Sequence, residues 1–314
     1  MKKNNFALIG AGGFVAPRHL RAIRDNDQNL AAIFDPNDSV GIIDSYFPDA
    51  SFFTEYERFD RHCEKLRRKG EEDRIHYVSI CSPNYLHDAH IRFALRADAN
   101  AICEKPLVLN PWNADALKSL EKETGRKVST ILQLRHHPSI MALKEKIDAD
   151  KSGKKHDIEL TYITPRGKWY HYSWKGDMYK SGGIATNIGV HFFDMLSWIF
   201  GEPEKNTLHY YREDKAAGLI ELKKANVKWF LSIDKSDLNK GDKTFRSITM
   251  DGEEIEFSEG FTDLHTISYR EILEGRGYTI DDALPSIKAV YEIRSAVPVG
   301  LKGEYHPFLK KIKI

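Results

Sequence analysis

The sequence has few cysteines, no long apolar run and almost no net charge, and each absence excludes a class of protein. Its three cysteines are an odd number without CxxC spacing, which suits a reducing compartment, with Cys81 and Cys103 as small strand residues. The net charge of +1 argues against a nucleic-acid or membrane-surface partner, because neither polyanion would meet a basic field. The apolar run after residues 1–5 is too short for a signal peptide or a spanning helix. We therefore expect a cytoplasmic protein.

The first half of the chain alternates apolar strand runs with amphipathic helices. Its 314 residues, 41% apolar and 30% charged, allow about two domains, each with its own core. The alternation predicts a doubly wound α/β domain whose parallel sheet is covered on both faces. We place this nucleotide-binding domain at residues 1–135 and a second domain at residues 136–314. Strand runs lie at residues 6–9, 30–35, 51–53, 76–81, 100–103 and 128–133, and helices at 55–69, 87–97 and 110–123.

A glycine-rich loop follows the first strand run and leads into the first predicted helix. It has small residues at Gly10, Gly13 and Ala16, a spacing one residue longer than GxGxxG at the first step. A strand, a glycine loop and a helix in this order let a pyrophosphate approach the backbone and lie on the helix N-terminus. A plain strand-to-helix turn remains the alternative.

Asp35 ends the second strand run, about 20 residues after the glycines, where an acidic side chain binds the adenosine ribose hydroxyls. Its charge would repel a 2′-phosphate, so NAD is favoured over NADP. The alternative is that Asp35 caps a helix beginning at residues 36–39.

Lys105 stands at the end of the run 100–103, within Cys103-Glu104-Lys105-Pro106. Pro106 has no N–H to extend a ladder and biases Lys105 toward an extended backbone. The ammonium is therefore expected at the carboxyl edge of the sheet, where open α/β sheets bind their ligands. A surface lysine beside a strand end is the alternative.

The second half changes pattern and predicts an α+β domain with a mainly antiparallel sheet. After a helix at 140–147, period-two strands lie at residues 157–163, 206–212, 218–223, 227–233, 246–250 and 253–257, the last two flanking Asp251-Gly252, a hairpin signal. Helices at 262–274 and 280–297 can cover only part of this sheet. Its open face is therefore expected to be an oligomer interface.

A second group of polar residues lies between the first two of these strands. Residues 166–175 form a basic, aromatic loop, and Gly182-Gly183 precede a helical pattern that carries Asn187 and His191 four residues apart on one face. Asp194 lies one turn further on and is placed to orient the imidazole. A structural histidine is the alternative, but the glycines favour a ligand that approaches the start of this helix closely.

Over nearly its whole length the chain resembles the Gfo/Idh/MocA family of NAD(P)-dependent sugar oxidoreductases. The residues that carry the resemblance are the loop 10–16, Ser82-Pro83-Asn84 with His87, Glu104-Lys105-Pro106, Arg135 with Pro138, Trp174-Lys175, and Gly182-Gly183 leading to Asn187-x-Gly189-x-His191. Within that family it is similar to members that oxidise the C3 hydroxyl of UDP-N-acetylglucosaminuronic acid in bacterial lipopolysaccharide O-antigen biosynthesis. Residues 16–19, 34–41, 49–68 and 84–90 carry this narrower similarity.

This resemblance implies a Rossmann domain with bound NAD, followed by an α+β domain whose open sheet forms dimers or tetramers. It implies that Lys105 and His191 are catalytic, with Asn187 where an aspartate is more usual. The implied cofactor-binding residues are Gly10, Gly12, Gly13, Phe14, Val15, Asp35, Ser82, Asn84, His87, Glu104, Lys105, Gln133 and Trp174, and the implied sugar-binding residues are Lys105, Thr186, Asn187 and His191.

Oxidation of a ring hydroxyl needs a base for its proton and a donor that stabilises the developing oxyanion. We expect His191 to be the base and Lys105 the stabilising donor, and the reverse assignment stays open. A substrate with a diphosphate and a carboxylate also needs cations, for which Arg166 and Lys175 are candidates, with a solvated basic loop as the alternative for Arg166.

Two histidine pairs, His87 with His90 and His136 with His137, lack a carboxylate or cysteine at a spacing that would complete a metal site, so no metal is expected. Two other functions stay open. One is another sugar or cyclitol dehydrogenase of the same family. The other is a nucleotide-binding sensor without turnover.

Overall fold

The computed structural model of the chain describes residues 3–256 and 262–311. The chain forms two compact units: unit 1 is Met1–His136 with Thr262–Leu284, and unit 2 is His137–Phe261 with Pro285–Ile314. The expected boundary at 135/136 lies one residue from this division. Residues 262–284 differ from the expectation, because they cluster with unit 1 rather than with the second half of the chain.

Strands and helices alternate in the first half, as the apolar periodicity predicts. In chain order they are β1 (Asn5–Ile9), α1 (Ala16–Asp25), β2 (Asn29–Phe34), β3 (Ser51–Phe53), α2 (Tyr56–Lys69), β4 (Tyr77–Ile80), α3 (His87–Arg96), β5 (Asn100–Cys103), α4 (Pro111–Thr124) and β6 (Val128–Thr130). The strand expected at 128–133 ends at Thr130, and Gln133–His136 form a 3-10 turn. Ile131 and Leu132 are buried although they lie outside the strand. Because buried apolar residues occur in strands and in buried loops alike, the apolar pattern cannot show where β6 ends.

The second half contains α5 (Pro138–Ala149), β7 (His156–Ile163), α6 (Trp169–Tyr172), α7 (Met178–Ser181), α8 (Val190–Phe200), β8 (Pro203–Tyr211), β9 (Lys215–Leu222), β10 (Ala225–Ser232), β11 (Phe245–Met250), β12 (Glu253–Glu254), α9 (Leu264–Leu273) and α10 (Ile280–Ser295). The strand expected at 253–257 ends at Glu254, and residue 257 lies outside the described residues. No helix within the described ranges is long and apolar enough to cross a membrane.

The sheet of unit 1 has the strand order β3-β2-β1-β4-β5-β6. Every pairing in it is parallel, and the inner strands are buried almost throughout because helices cover both faces. The order reverses between β1 and β4, and in such sheets a ligand binds outside the carboxyl ends at this point. The predicted doubly wound fold is confirmed.

The sheet of unit 2 has the order β12-β11-β7-β10-β9-β8. Its pairings are antiparallel except for β7 with β10, so the mainly antiparallel sheet is confirmed as a mixed one. The hairpin signal is also confirmed, since Asp251 (φ 54°) and Gly252 (φ 90°) both take the left-handed backbone of a two-residue turn between β11 and β12.

Helix α9 returns to unit 1 although it follows the second sheet in sequence. Tyr269 is fully buried and belongs to the core that contains Phe6 and Leu20, and its ring stacks on Phe6 at a centroid distance of 6.0 Å. The apolar face of a helix does not specify which sheet covers it, which is why the sequence analysis assigned α9 to the second domain.

Candidate active site

The glycine loop joins β1 to α1 and requires glycine at its first position. Gly10 has a φ of 96°, and a Cβ there would lie 2.7 Å from the carbonyl carbon of Cys81 and from the nitrogen of Ser82. The ends of β1 and β4 can therefore approach each other only with glycine at this position. No acidic side chain lies in the first turn of α1, and Phe14, at the outside of the loop, is 85% exposed.

Asp35 contacts the glycine loop directly. Its Oδ2 accepts a 2.8 Å hydrogen bond from the backbone N–H of Gly12, and its Oδ1 accepts one of 2.8 Å from Asn37. The alternative of an α-helix starting at residues 36–39 is wrong, because a 3-10 turn at Gly41–Ser45 is the next helical element. The carboxylate therefore lies beside the predicted pyrophosphate loop.

The segment after β4 is held by two buried histidines. The ring nitrogens of His87 lie 2.7 Å from the carbonyl oxygen of Pro106 and 2.8 Å from that of Ser82. The Ser82 hydroxyl lies 2.8 Å from His90 Nδ1. Both ring nitrogens of His87 are thus engaged within the protein, so this side chain links the ends of β4 and β5, and its predicted cofactor contact stays a prediction.

Lys105 lies where the sequence analysis places it, just beyond the carboxyl end of β5. Its side chain is 20% exposed, and the peptide bond to Pro106 is cis. Its ammonium nitrogen is 3.9 Å from Oε2 of Glu104, whose side chain is buried. The lysine therefore has an anionic neighbour at the edge of the sheet where ligands are expected.

Glu104 is the centre of a buried cluster that the sequence analysis missed. His19 on α1 and His265 on α9 each place Nε2 3.0 Å from its Oε1. His19 is a polar position in the helical pattern of α1, yet it is fully buried. The signal for His19 was its place beside Leu20 on the buried side of the helix, but no local signal pairs it with a residue 246 positions later.

In unit 2, Asn187 and His191 lie on one continuous helical stretch that begins as a π-helix and continues as an α-helix. Ala185–Gly189 form a π-helical turn, which continues directly into α8. The apolar residues of this stretch recur at helical spacing and are buried on one face, namely Ile184, Ile188, Phe192 and Leu196. A π-turn inside a helix changes the directions of the side chains around it and is frequent at functional sites.

Tyr170 is a second residue that the sequence analysis missed. The side-chain amide of Asn187 donates a 2.7 Å hydrogen bond to its hydroxyl oxygen, and Tyr170 is 2% exposed. Burial raises the pKa of Tyr170, although the hydrogen bond from Asn187 opposes the rise. The basic, aromatic loop is therefore attached to the candidate catalytic helix. The His191 ring packs on Phe192 at a centroid distance of 4.1 Å.

Gly182 and Gly183 have a packing role in unit 2. Their φ angles are 83° and 78°, and a Cβ on Gly182 would lie 2.7 Å from side-chain atoms of Thr186, while one on Gly183 would lie 2.8 Å from Met178 and Tyr211. The protein's own atoms therefore require glycine at both positions, and the ligand approach expected there stays a prediction. Thr186 is fully buried.

The two candidate anion-binding cations lie in the aromatic loop. The Lys175 ammonium lies 4.3 Å from the ring centre of Trp174, and burial, with a smaller effect from the charge of Arg166, lowers the pKa of Lys175. Arg166 is exposed and donates a 2.8 Å hydrogen bond to the Thr164 hydroxyl. Because the two cations disfavour each other, an anion between them would be stabilised.

The remaining predicted positions, Gln133 and the pair His136 and His137, lie near the end of the first half of the chain. Gln133 begins the 3-10 turn after β6 and is half-buried. His136 packs against Tyr278 at 5.1 Å, and His137 is buried at the start of α5. Neither histidine pair belongs to a group of possible metal ligands among the described residues. The group found there is His19, Glu104 and His265, whose possible ligand atoms lie within 4.8 Å of one another.

Two family models match the chain, one for each half. Residues 4–132 match the oxidoreductase family model with an NAD-binding Rossmann fold, and residues 144–238 match its C-terminal alpha/beta domain. The chain therefore belongs to the Gfo/Idh/MocA family of oxidoreductases.

Among solved structures, the chain is similar to the WlbA (WbpB) dehydrogenase from Thermus thermophilus. The complex of that protein with NAD and alpha-ketoglutarate is 50% identical, with a TM-score of 0.93 over 97% of this chain and 99% of that one. Its complex with NAD and UDP-GlcNAcA is 49% identical, with a TM-score of 0.92 over the same shares of both chains.

Among curated relatives, the inositol 2-dehydrogenase of Rhizobium meliloti is 26% identical over 63% of this chain and 55% of its own length. The chain spans between 38% and 55% of the length of the first curated relatives it matches.

The hydrogen bond between Asn187 and Tyr170 gives a first prediction. Tyr170→Phe removes the buried acceptor of the Asn187 amide and should lower the free energy of unfolding by about 0.5–1.5 kcal/mol. The matched control is Tyr172→Phe, because Tyr172 lies on the same helix and is 89% exposed. Urea unfolding followed by circular dichroism measures both. Equal stability of the two variants would contradict the contact.

Proposed function

We propose that the chain is an NAD-dependent dehydrogenase that oxidises the C3 hydroxyl of UDP-N-acetylglucosaminuronic acid to a 3-keto sugar nucleotide. The observation that carries this proposal is the likeness at 49–50% identity, over nearly the whole of both chains, to a dehydrogenase solved with NAD and with UDP-GlcNAcA. The lysine at the carboxyl end of β5 supports it, because this is where the fold presents a reacting group to a ligand. The product would serve bacterial surface-polysaccharide biosynthesis, including lipopolysaccharide O-antigen.

The residues of unit 1 fit NAD. The glycine loop leads into the ten-residue helix α1, whose first turn carries no acidic side chain, so the positive end of its helix dipole suits a pyrophosphate. Gly10, Gly12 and Gly13 would hold the pyrophosphate, Asp35 the adenosine ribose, and Ser82 and Asn84 the far side of the crevice. NAD, when bound, supplies the hydride acceptor.

His191 and Lys105 divide the work on the reacting hydroxyl. His191 accepts the hydroxyl proton, because an imidazole is suited to proton transfer near neutral pH. The Lys105 ammonium donates a hydrogen bond to the same oxygen and stabilises its developing negative charge. Asn187 orients the hydroxyl, since an amide can donate or accept a hydrogen bond but cannot take the proton.

Arg166 and Lys175 bind the anionic groups of the substrate. Burial and the neighbouring Arg166 lower the pKa of Lys175, so a diphosphate or carboxylate would compensate a repulsion that exists in the free protein. A guanidinium also binds such groups in a bidentate manner.

The mixed sheet of unit 2 serves as the interface of a dimer or tetramer, as expected from the sequence. The expected location of the protein is the cytoplasm.

The first test of this function removes each reacting side chain. Lys105→Ala and His191→Ala should each slow single-turnover NADH formation at least about a hundredfold, the low end for acid–base groups. NAD affinity, measured by calorimetry, should stay within about threefold in His191→Ala, because only the proton acceptor is lost.

Two controls match these changes. Lys127→Ala removes an exposed lysine of unit 1, and His62→Ala removes a half-buried histidine on α2. Both should turn over like the unmodified protein. If Lys105→Ala and His191→Ala were as active as these controls, the assignment of the catalytic pair would be refuted.

Asp35 should decide the choice between NAD and NADP. Asp35→Ser keeps an acceptor near Gly12 but removes the charge that would repel a 2′-phosphate. The ratio of kcat/KM for NAD to that for NADP should fall roughly tenfold or more, which corresponds to about 1.4 kcal/mol. Asp38→Ser, at an exposed position three residues on, is the control and should leave the ratio unchanged. A preserved ratio in Asp35→Ser would contradict the ribose role.

A substrate panel tests the anion-binding cations. UDP-N-acetylglucosaminuronic acid should turn over, whereas UDP-N-acetylglucosamine and free N-acetylglucosaminuronic acid each lack one anionic group and should react poorly. Arg166→Ala should raise KM for the first compound roughly tenfold through loss of a charge-assisted hydrogen bond, and Lys168→Ala in the same loop should not.

The same substrate panel tests the two alternative functions. Turnover of free sugars or cyclitols alone would favour another dehydrogenase of the family, and NAD binding without turnover would favour a sensor.

A further inference from the structure

The carboxylate of Glu104 faces different partners with its two oxygens. Oε1 lies 3.0 Å from the Nε2 atoms of both His19 and His265. Oε2 accepts a 3.2 Å hydrogen bond from the backbone N–H of Lys105 and lies 3.9 Å from its ammonium nitrogen. The glutamate therefore joins two helices to Lys105, just beyond the end of β5.

The hydrogen bonds behind this carboxylate follow a consistent direction. With Glu104 as an acceptor, both imidazoles carry a proton on Nε2, and in the neutral form of His19 the Nδ1 atom accepts from the hydroxyl of Tyr269 at 2.7 Å. The Ser79 hydroxyl lies 2.6 Å from the same Tyr269 oxygen and donates to it. In this form the hydrogen bonds from Ser79, Tyr269 and His19 all point toward Glu104, so the carboxylate is held in one orientation.

The cluster is buried around the ionised carboxylate of Glu104. Ser79, His19 and Tyr269 are fully buried, and Glu104 and His265 are 5% and 6% exposed. Burial raises the pKa of Glu104, but the hydrogen bonds from His19 and His265 and the charge of Lys105 outweigh it and hold that pKa well below its usual range. Burial lowers the pKa of His265 despite its bond to Glu104, so a carboxylate with a neutral His265 donor is the stable form.

The other titratable or charged groups near Glu104 do not take over the role of the two histidines as hydrogen-bond donors to its Oε1. Burial raises the pKa values of Cys81 and Cys103 well above their ordinary range, and the charge of Glu104 adds to the effect, so both thiols stay neutral. Arg18 on α1 acts on His265 by its charge and lowers the pKa of that imidazole. Within the described part of the chain, the groups that act on Glu104 or His265 by charge or hydrogen bonding include Arg18, His19, Cys81, His87, Cys103, Lys105 and Tyr269.

We propose that His19, His265 and Tyr269 are positioning residues for Lys105 that act through Glu104. They fix the glutamate so that its second oxygen faces the Lys105 ammonium and keeps that cation at the carboxyl end of β5. The inference rests on the proposed function, because it assigns the cluster to the residue that stabilises the oxyanion. A displacement of a reacting group by about 1 Å can slow a reaction on the order of a hundredfold, so a rigid support has a catalytic consequence.

The kinetic test compares variants that break the cluster at different points. Glu104→Gln removes the charge, His265→Leu removes one donor, and His265→Gln keeps an N–H near the position of Nε2. We expect kcat to fall about tenfold to a hundredfold in Glu104→Gln and His265→Leu, and His265→Gln to recover most of it. KM for the sugar nucleotide should change by less than about threefold, since substrate contacts are unaltered. Tyr269→Phe should lower kcat by about 2–13-fold, the value of one hydrogen bond.

Cys63→Ala is the matched control for general destabilisation. Cys63 is buried on α2 in the same unit, and its loss should lower the melting temperature with no change in kcat. Because Glu104→Gln and Tyr269→Phe are nearly isosteric, they keep the proposal testable if His265→Leu does not fold.

A second measurement needs no turnover. Competitive acetylation followed by mass spectrometry reports how readily each lysine reacts, and Lys105 should react roughly fivefold faster in Glu104→Gln, the effect of losing an ion pair of about 1 kcal/mol at 4 Å in water. Lys127 is the internal reference and should react equally in all variants.

The outcomes are distinguishable. Unchanged kcat and unchanged Lys105 acetylation in Glu104→Gln and His265→Leu, with Lys105→Ala inactive, would overturn the positioning role and leave the proposed function intact. If Lys105→Ala were itself fully active, the proposed function would fail, and faster acetylation would still support the cluster's hold on Lys105. One equivalent of a bound transition metal, lost in His265→Leu, would also overturn the proposal, because the cluster would then be a metal site.

Discussion

The hydrogen bonding of one buried carboxylate governs the arrangement of unit 1 around its ligand edge. Glu104 accepts from imidazoles on α1 and α9, and it lies one residue before Lys105. Burying a carboxylate is costly unless its oxygens are satisfied, so the helices that satisfy them must be fixed relative to the end of β5. Helix α9 comes from the second half of the sequence but belongs to this unit because it supplies His265 and Tyr269.

In unit 2, close packing holds the candidate catalytic helix in place, whereas in unit 1 a hydrogen-bonded carboxylate holds the end of β5. The π-turn at Ala185–Gly189 follows two left-handed glycines, against which Thr186, Met178 and Tyr211 pack closely. Asn187 is then directed at the buried hydroxyl of Tyr170. The aromatic loop that carries the candidate anion-binding cations and the helix that carries His191 are therefore parts of one packed structure.

The elements of this fold were largely predictable, because strand and helix periods are local properties. The parallel strands buried on both faces, the glycine loop and the Asp251-Gly252 hairpin all follow from short-range patterns. The failures share one physical cause. The assignment of α9, the burial of His19 and the contact of Tyr170 with Asn187 each depend on which distant surface covers a side chain, and amphipathicity does not encode this.

The sequence by itself determined that Lys105 ends a buried strand before a proline, that a glycine loop opens the first helix, and that Asn187 and His191 share a helical stretch. Each of these depends on the backbone preferences of neighbouring residues. Only the tertiary structure decided that Glu104 is enclosed by His19 and His265 and that Asp35 accepts from Gly12. Hydrogen bonds between residues far apart in sequence form only when the packing of the sheet and its helices brings donor and acceptor within about 3 Å of each other.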